Sequence, residues 1–225
     1  MSASRPSCLL VLSSAEQGVS AQSFIHAFTL TNTTFTVQLA APNGKATEYV
    51  DQDENSRRWL NDFRTKTFAL PLELEKIEVS RYSCLLIPHA PGAVHDLARD
   101  RELAKIINHF IREKKPICAI GAGIAALCCA RMDDNKTWSF KDYSMTSNSV
   151  FELARSPDFG SLPIVMEDFI KENGAVYSSS EPDAVHIVVD RHLITGQNES
   201  SSLIAVQNLI LLCNQKQGKQ SSAPR

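Results

Sequence analysis

Residues Pro116 to Leu127 read Pro-Ile-Cys-Ala-Ile-Gly-Ala-Gly-Ile-Ala-Ala-Leu, a short apolar strand, a sharp glycine turn and an apolar helix. In α/β enzymes this is where a nucleophile stands: on a strained turn at the carboxyl end of a strand, with helix N-terminal amides beneath it. Here that position is Gly121, which has no side chain. The chain keeps the outline of a reaction centre and lacks its reagent.

The surrounding pattern alternates between strand and helix. Cys8 to Ser13 is followed by Ala21, Phe24, Ile25 and Phe28 at helical spacing, then by the β-branched run Phe35 to Ala40, bounded by Pro42-Asn43-Gly44. Asp53 through Phe68 reads as a charged amphipathic helix with Trp59, Leu60 and Phe63 on one side. Tyr82 to Ile87 is continuously apolar, as a strand covered on both faces must be. A helix from about Asp96 to Arg112 carries Leu97, Leu103, Ile106, Ile107 and Phe110 inward, and Pro116 opens the strand to Ile120. Beyond the glycine turn, the pattern predicts a short hairpin over Trp138 to Thr146, a helix over Val165 to Glu172 and a strand pair turning at Asp190-Arg191. A closing helix is expected over Leu203 to Cys213. Repeated βαβ units with right-handed crossovers imply a flavodoxin-like, doubly wound α/β fold, a mostly parallel sheet with helices on both faces. Three loops converge at the carboxyl ends of its strands: Ser13 to Ser23, Pro88 to Ala93, and Gly121 to Gly123.

Composition bounds the function. A chain of 225 residues, 43% hydrophobic, fills one domain, read here as residues 1–213, with a polar tail over 214–225 expected to be disordered. A net charge of -2 and only short basic pairs, Arg57-Arg58 and Lys114-Lys115, argue against direct nucleic-acid binding. The apolar run at Cys8 to Leu12 is too short for a signal-peptide core, and no run of about 20 apolar residues is present, so a cytoplasmic protein is expected. The six cysteines lack C-x-x-C spacing and sit mostly in apolar runs, as buried thiols in a reducing compartment do.

The chain resembles the ThiJ/PfpI superfamily, which includes deglycases, chaperone glyoxalases and, more distantly, class I glutamine amidotransferases. The resemblance is carried by Gly18-x4-Ser23 with His26 and Phe28, by Ala41 to Lys45, by Tyr82 to Ile87 leading into Pro88 to Leu97, and by Lys115-Pro116 with the glycine turn. Pro163-x3-Glu167-Asp168 and, most specifically, Leu193 to Asn198-x2-Ser201 after Asp190 complete it. Residues 1–213 are then one class I glutamine amidotransferase-like domain. Active members of the superfamily have Cys at the elbow, often His after it, and an acidic residue from the first loop. Those positions here are Gly121, Ala122 and Ser23, and His89 stands where the superfamily usually has Gly. The resemblance implies a catalytically inactive pseudoenzyme without catalytic, cofactor or metal residues, acting as a homo-oligomeric protein-interaction subunit. For the part of the superfamily it resembles most, it also implies a cytoplasmic assembly peripheral to early endosomes, tied to a Rab-type GTPase and mRNA transport, reaching the membrane only through partners.

Other readings compete. Cys118 lies inside the strand, where desolvation raises a thiol pKa, and Cys128 and Cys129 fall within the following helix. His89, His95 and Asp96 match no metal spacing. Glu167-Asp168 suit a helix N-terminus without acid/base work. Ser23 would need a base to act as nucleophile. Gly121-x-Gly123-x-x-Ala126 follows a strand and opens a helix, as in a dinucleotide cradle, but it lies on an interior unit and no acidic residue sits at the end of a clear strand about 20 positions later. The alternatives are a glyoxalase-, deglycase- or amidase-type enzyme using another residue, or a small-molecule or nucleotide binder at the Gly121 turn.

Overall fold

A computed structural model describes residues 5–221. Its strands are β1 (Ser7–Val11), β2 (Val19–Ser20), β3 (Thr36–Ala41), β4 (Tyr49–Val50), β5 (Leu72–Glu73), β6 (Cys84–Ile87), β7 (Ile117–Ile120), β8 (Ser144–Met145), β9 (Val176–Tyr177), β10 (Ile187–Asp190) and β11 (Leu193–Gly196). Its α-helices are α1 (Ala21–Thr31), α2 (Glu54–Arg64), α3 (Arg101–Arg112), α4 (Val150–Leu153), α5 (Met166–Glu172) and α6 (Ser202–Ser221). Seven strands form the central sheet in the order β10-β11-β7-β6-β1-β3-β5, and only the β10–β11 pair is antiparallel. Cys8 to Leu10, Cys84 to Ile87 and Ile117 to Ile120 are fully buried, which is why their sequences are apolar without alternation. This is the doubly wound α/β architecture that the strand and helix pattern implies. The order reverses between β1 and β6, so the crevice of the fold opens where those two strands and β7 end.

Most elements follow the sequence pattern, and capping explains several differences. α3 begins at Arg101 instead of Asp96, because Asp100 accepts from the Leu103 amide at 2.8 Å while Asp96 is engaged elsewhere. α2 ends at Arg64, short of Phe68, where Thr65 closes it by bonding Asp62 O at 2.7 Å. Its Trp59 and Phe63 stack on each other and meet Phe24 and Phe28 of α1, one aromatic layer joining the two helices. The turn of β10 into β11 at Asp190-Arg191 stands as expected, with Arg191 at φ 57°.

The hairpin expected over Trp138 to Thr146 does not form. The chain turns earlier, where Asp134 accepts from the amides of Lys136 and Thr137, and Trp138 drops into the core to donate to Leu127 O at 2.8 Å. Ser144 and Met145 then pair in parallel with β9. The segment after the glycine turn, Gly121–Cys129, is wound as a 3₁₀-helix and almost wholly buried. α6 runs past Cys213 to Ser221, so the expected tail begins inside a helix, and residues 222–225 lie outside those described. α6 packs on α1, β7 and β11, while α3 lies against the 121–129 segment.

Candidate functional site

The three loops meet as the fold requires. The backbone amide of Ser20 donates to His89 O at 2.9 Å, Gly92 N to Gly18 O at 2.9 Å, and Ala122 N to the His89 side chain at 3.0 Å. Asp96 locks the first loop from below: it accepts from Ser13 Oγ at 2.9 Å, Ser14 N at 2.7 Å and Leu97 N at 2.6 Å. It is therefore a loop anchor, which is a sufficient account of that acidic residue.

Gly121 keeps the elbow's backbone. Its φ is +54°, the left-handed region that glycine adopts without steric cost. A Cβ placed there would stand 2.1 Å from His89 Nδ1, far inside contact distance. The imidazole thus fills the space in which a residue-121 side chain would begin. Because Nδ1 accepts the Ala122 amide hydrogen, Nε2 carries the ring hydrogen when the ring is neutral. Burial lowers the His89 pKa below the ordinary imidazole value against the pull of Glu199, Asp51 and Glu152, which favours that neutral form.

The neighbouring amide that would otherwise point at a developing negative charge is already bonded. Gly123 serves packing: a Cβ there would lie 2.1 Å from Pro88 O, so the backbone of the β6 loop crosses directly against the helix. With one amide taken and the other glycine explained by close approach, the glycine pattern needs no pyrophosphate to account for it.

Ser23 is fully buried on α1 and its hydroxyl is spent. Its oxygen accepts from the His89 amide at 2.9 Å and lies 2.8 Å from Ser202 Oγ. Ser202 directs its own hydrogen to Glu199 O at 2.6 Å, which leaves the Ser23 hydrogen pointing at Ser202. Ser20 caps α1 by accepting from Ser23 N at 3.0 Å and bonds the Glu199 carboxylate. Two serines thus tie the first loop to the start of α6, and among the described residues Ser23 Oγ bonds the His89 amide and Ser202 Oγ, neither of which is a base.

Five of the six cysteines are buried thiols, and Cys129 is partly buried. Burial pushes Cys118 well above the ordinary thiol value and Cys128 up to about 12, and Cys128 Sγ rests 3.4 Å from Met166 Sδ. Cys129 is raised in the same way. Among the described residues no cluster of His, Cys, Asp and Glu is arranged to hold a metal ion. Glu167 opens α5, accepts from Val150 N at 2.9 Å and pairs with Lys171, a structural assignment for that carboxylate.

Above Gly121 and Ala122 lies a cavity of about 720 Å3. Its wall includes His89, Asn148, Glu152, Asn198 and Glu199, of which only His89 was a candidate from sequence. Glu152 binds three segments: its carboxylate accepts from Ser149 N and Asp183 N at 2.9 Å and from Asn198 Nδ2 at 2.7 Å. Burial raises its pKa, but those hydrogen bonds outweigh it and hold the group below the usual carboxylate range. The sequence did carry a signal for it, since Ser149-x-x-Glu152 is a capping box.

No protein-family model matches the chain. The glutamine amidotransferase-like class 1 domain-containing protein 1 of Homo sapiens is 57% identical over 212 residues, covering 94% of this chain and 96% of that protein. The Xenopus laevis protein of the same name is 56% identical over 210 residues, 93% of this chain and 91% of that one. Among solved structures, glyoxalase III of Candida albicans superposes with a TM-score of 0.81 at 17% identity, over 92% of this chain and 97% of that chain. DJ-1beta of Drosophila melanogaster gives 0.60 at 17% identity, over 92% and 89%. These structural likenesses show the ThiJ/PfpI-type fold.

Proposed function

The chain belongs to the family of glutamine amidotransferase-like class 1 domain-containing protein 1, and from that premise we propose that it is a catalytically inactive form of the ThiJ/PfpI fold, a pseudoenzyme acting as an oligomeric protein-interaction subunit. One observation carries the reading: the His89 imidazole fills the place where a nucleophile on residue 121 would begin. Ser23 cannot replace the missing acid, since its hydroxyl is buried and fully engaged. Ala122 offers no imidazole, and the Cys118 thiol lies inside a strand with its pKa raised.

A domain without its reagent acts through its surface. Support for an interaction role comes from exposed apolar side chains: Leu203, Ile204 and Leu211 on α6, and Phe151 on α4, 79% exposed. The proposal extends to a homo-oligomer in a cytoplasmic assembly at early endosomes, linked to a Rab-type GTPase and mRNA transport through protein partners. That extension is supported by the sequence resemblance alone. Recovery of the endogenous protein with its native mass tests it: co-purifying subunits and an oligomeric mass are expected, and a lone monomer would overturn it.

A further inference from the structure

The central sheet ends in two unlike edges. β5 is two residues long and follows Pro71, which has no N–H, so that edge is blunted. β10 pairs with β11 alone among the described strands, and Ala184 to Val189 contains no proline, lysine, arginine or acidic residue. Gln197 N donates to His186 O at 2.9 Å, which places the even-numbered residues of β10 in the ladder with β11. The N–H and C=O groups of Ile187 and Val189 therefore point outward from the sheet. Ser144 N bonds the Asp190 carboxylate and Thr146 N bonds Thr195 Oγ1, so β8 lies across one face of the hairpin and not along its edge.

The other face is apolar. Ile187 Cδ1 and Ala205 Cβ lie 3.4 and 3.5 Å from where a Cβ on Gly196 would stand, so Ile187 and Val189 share the face that α6 covers. Val189, and Val185 two residues before Ile187, are 50% and 52% exposed. Ser201 Oγ bonds both the N–H and the O of His186, which sets the start of α6 beside the start of β10. Ile204, Asn208 and Leu211 follow Ser201 at helical spacing on that same flank, and Ile204 and Leu211 are 40% and 59% exposed. No charged residue stands between Ser200 and Gln215. An open strand edge beside an apolar helix flank is a template for a further strand that brings its own apolar cover.

We propose that β10 and this flank of α6 form the interface at which a second copy of the chain docks, its β10 adding antiparallel about a two-fold axis at Ile187. The proposal rests on the oligomer reading above and names its surface. In this register Val185 lies opposite the partner's Val189 and Ile187 opposite the partner's Ile187, apolar against apolar at each pair. Charge suits an identical copy: Asp183 is paired with Arg155 at one end of the strand and Asp190 with Arg191 at the other. Two such edges meet without net charge, whereas a strongly basic or acidic partner finds no counter-charge. Residues 185–191 span roughly 23 Å, and strand with helix stands roughly 20 Å high, so the contact buries about 900 Å2 over both copies. That is the low end of specific interfaces, and a weak, concentration-dependent dimer is expected.

Amide hydrogen exchange of the full chain, read residue by residue from low to high micromolar concentration, tests this beside sedimentation equilibrium. The Ile187 and Val189 amides are expected to slow about tenfold or more as the dimer fills, while Val188 and Asp190, held by β11, stay protected throughout. Val189→Lys and Ile204→Lys, both at exposed positions, are expected to sediment as monomers where wild type is dimeric. Leu70→Lys, beside the β5 edge, is expected to leave the dimer intact. A dimer that survives both Val189→Lys and Ile204→Lys, or whose Ile187 and Val189 exchange ignores concentration, would overturn this interface and leave the oligomer reading standing. Loss of the dimer in Leu70→Lys alone would overturn it in favour of the β5 edge. A monomer at every concentration would overturn both. Protection of the same amides only in complexes recovered from cells would identify a foreign strand as the occupant and overturn the second copy.

Discussion

His89 Nδ1 accepts the Ala122 amide hydrogen across 3.0 Å and stands 2.1 Å from where any Cβ on Gly121 would lie. One ring therefore takes both the space of an elbow side chain and the donor beside it. Gly121 and His89 form a matched pair: the glycine makes room for the ring, and the ring closes the turn.

The pair predicts non-additive stability. Gly121→Ala must place a Cβ at φ +54° and also expel the ring, so a loss of at least about 1–3 kcal/mol is expected. His89→Gly in the same chain removes the clash but not the backbone strain, so the double variant should lose less than the sum of the two singles. Denaturant midpoints of the four proteins check this; simple additivity would mean that the ring moves aside freely.

His89 also gives a pH dependence of defined sign. Its folded pKa lies below the ordinary 6.5, so the unfolded chain binds more protons as pH falls through that value. The neutral ring's contribution is fully present above 6.5 and is lost as pH falls from there toward the folded pKa. His89→Asn retains an acceptor for Ala122 without titrating. Wild type should therefore lose stability more steeply than this variant below pH 6.5, and parallel curves would contradict the assignment.

Glu152 acts in a lower window. Its folded pKa is depressed, so its contribution stands above the ordinary carboxylate value and disappears as pH falls through the folded one. Glu152→Ala strands donors on Ser149, Asp183 and Asn198 and should cost about 1–3 kcal/mol, discounted for partial exposure. Glu152→Gln, which keeps acceptor capacity, should cost less. Thermal melts of both at neutral pH decide between a structural hub and an idle surface acid.

The interaction role predicts association. Light scattering at micromolar concentration should give a dimer or larger particle, and Leu211→Glu, at a side chain 59% exposed on α6, tests whether that helix contributes. A monomer mass for wild type across the range would count against an oligomeric subunit.

What was legible in the sequence was what depends on local pattern. The apolar runs at Cys84 to Ile87 and Ile117 to Ile120 mark strands buried on both faces, and their loops fix where Gly121, Ser23 and His89 converge. What was not legible depends on long-range pairing. Nothing near His89 announces that its ring will turn toward residue 121, 33 positions away at Ala122, or that Ser23 will find Ser202, 179 positions on. The hairpin expected over Trp138 to Thr146 failed for the same reason. Its second half pairs with Val176 and Tyr177, which no local alternation could reveal.

With glycine at position 121 and the His89 ring in the space of an elbow side chain, the protein is expected to have no turnover. Purified wild-type protein is assayed on methylglyoxal, glutamine, a glycated amine and a peptide library beside a heat-killed control. The account predicts no rate above that control. A measurable rate removed by His89→Asn or by Cys118→Ala would contradict it and identify the residue that performs the chemistry.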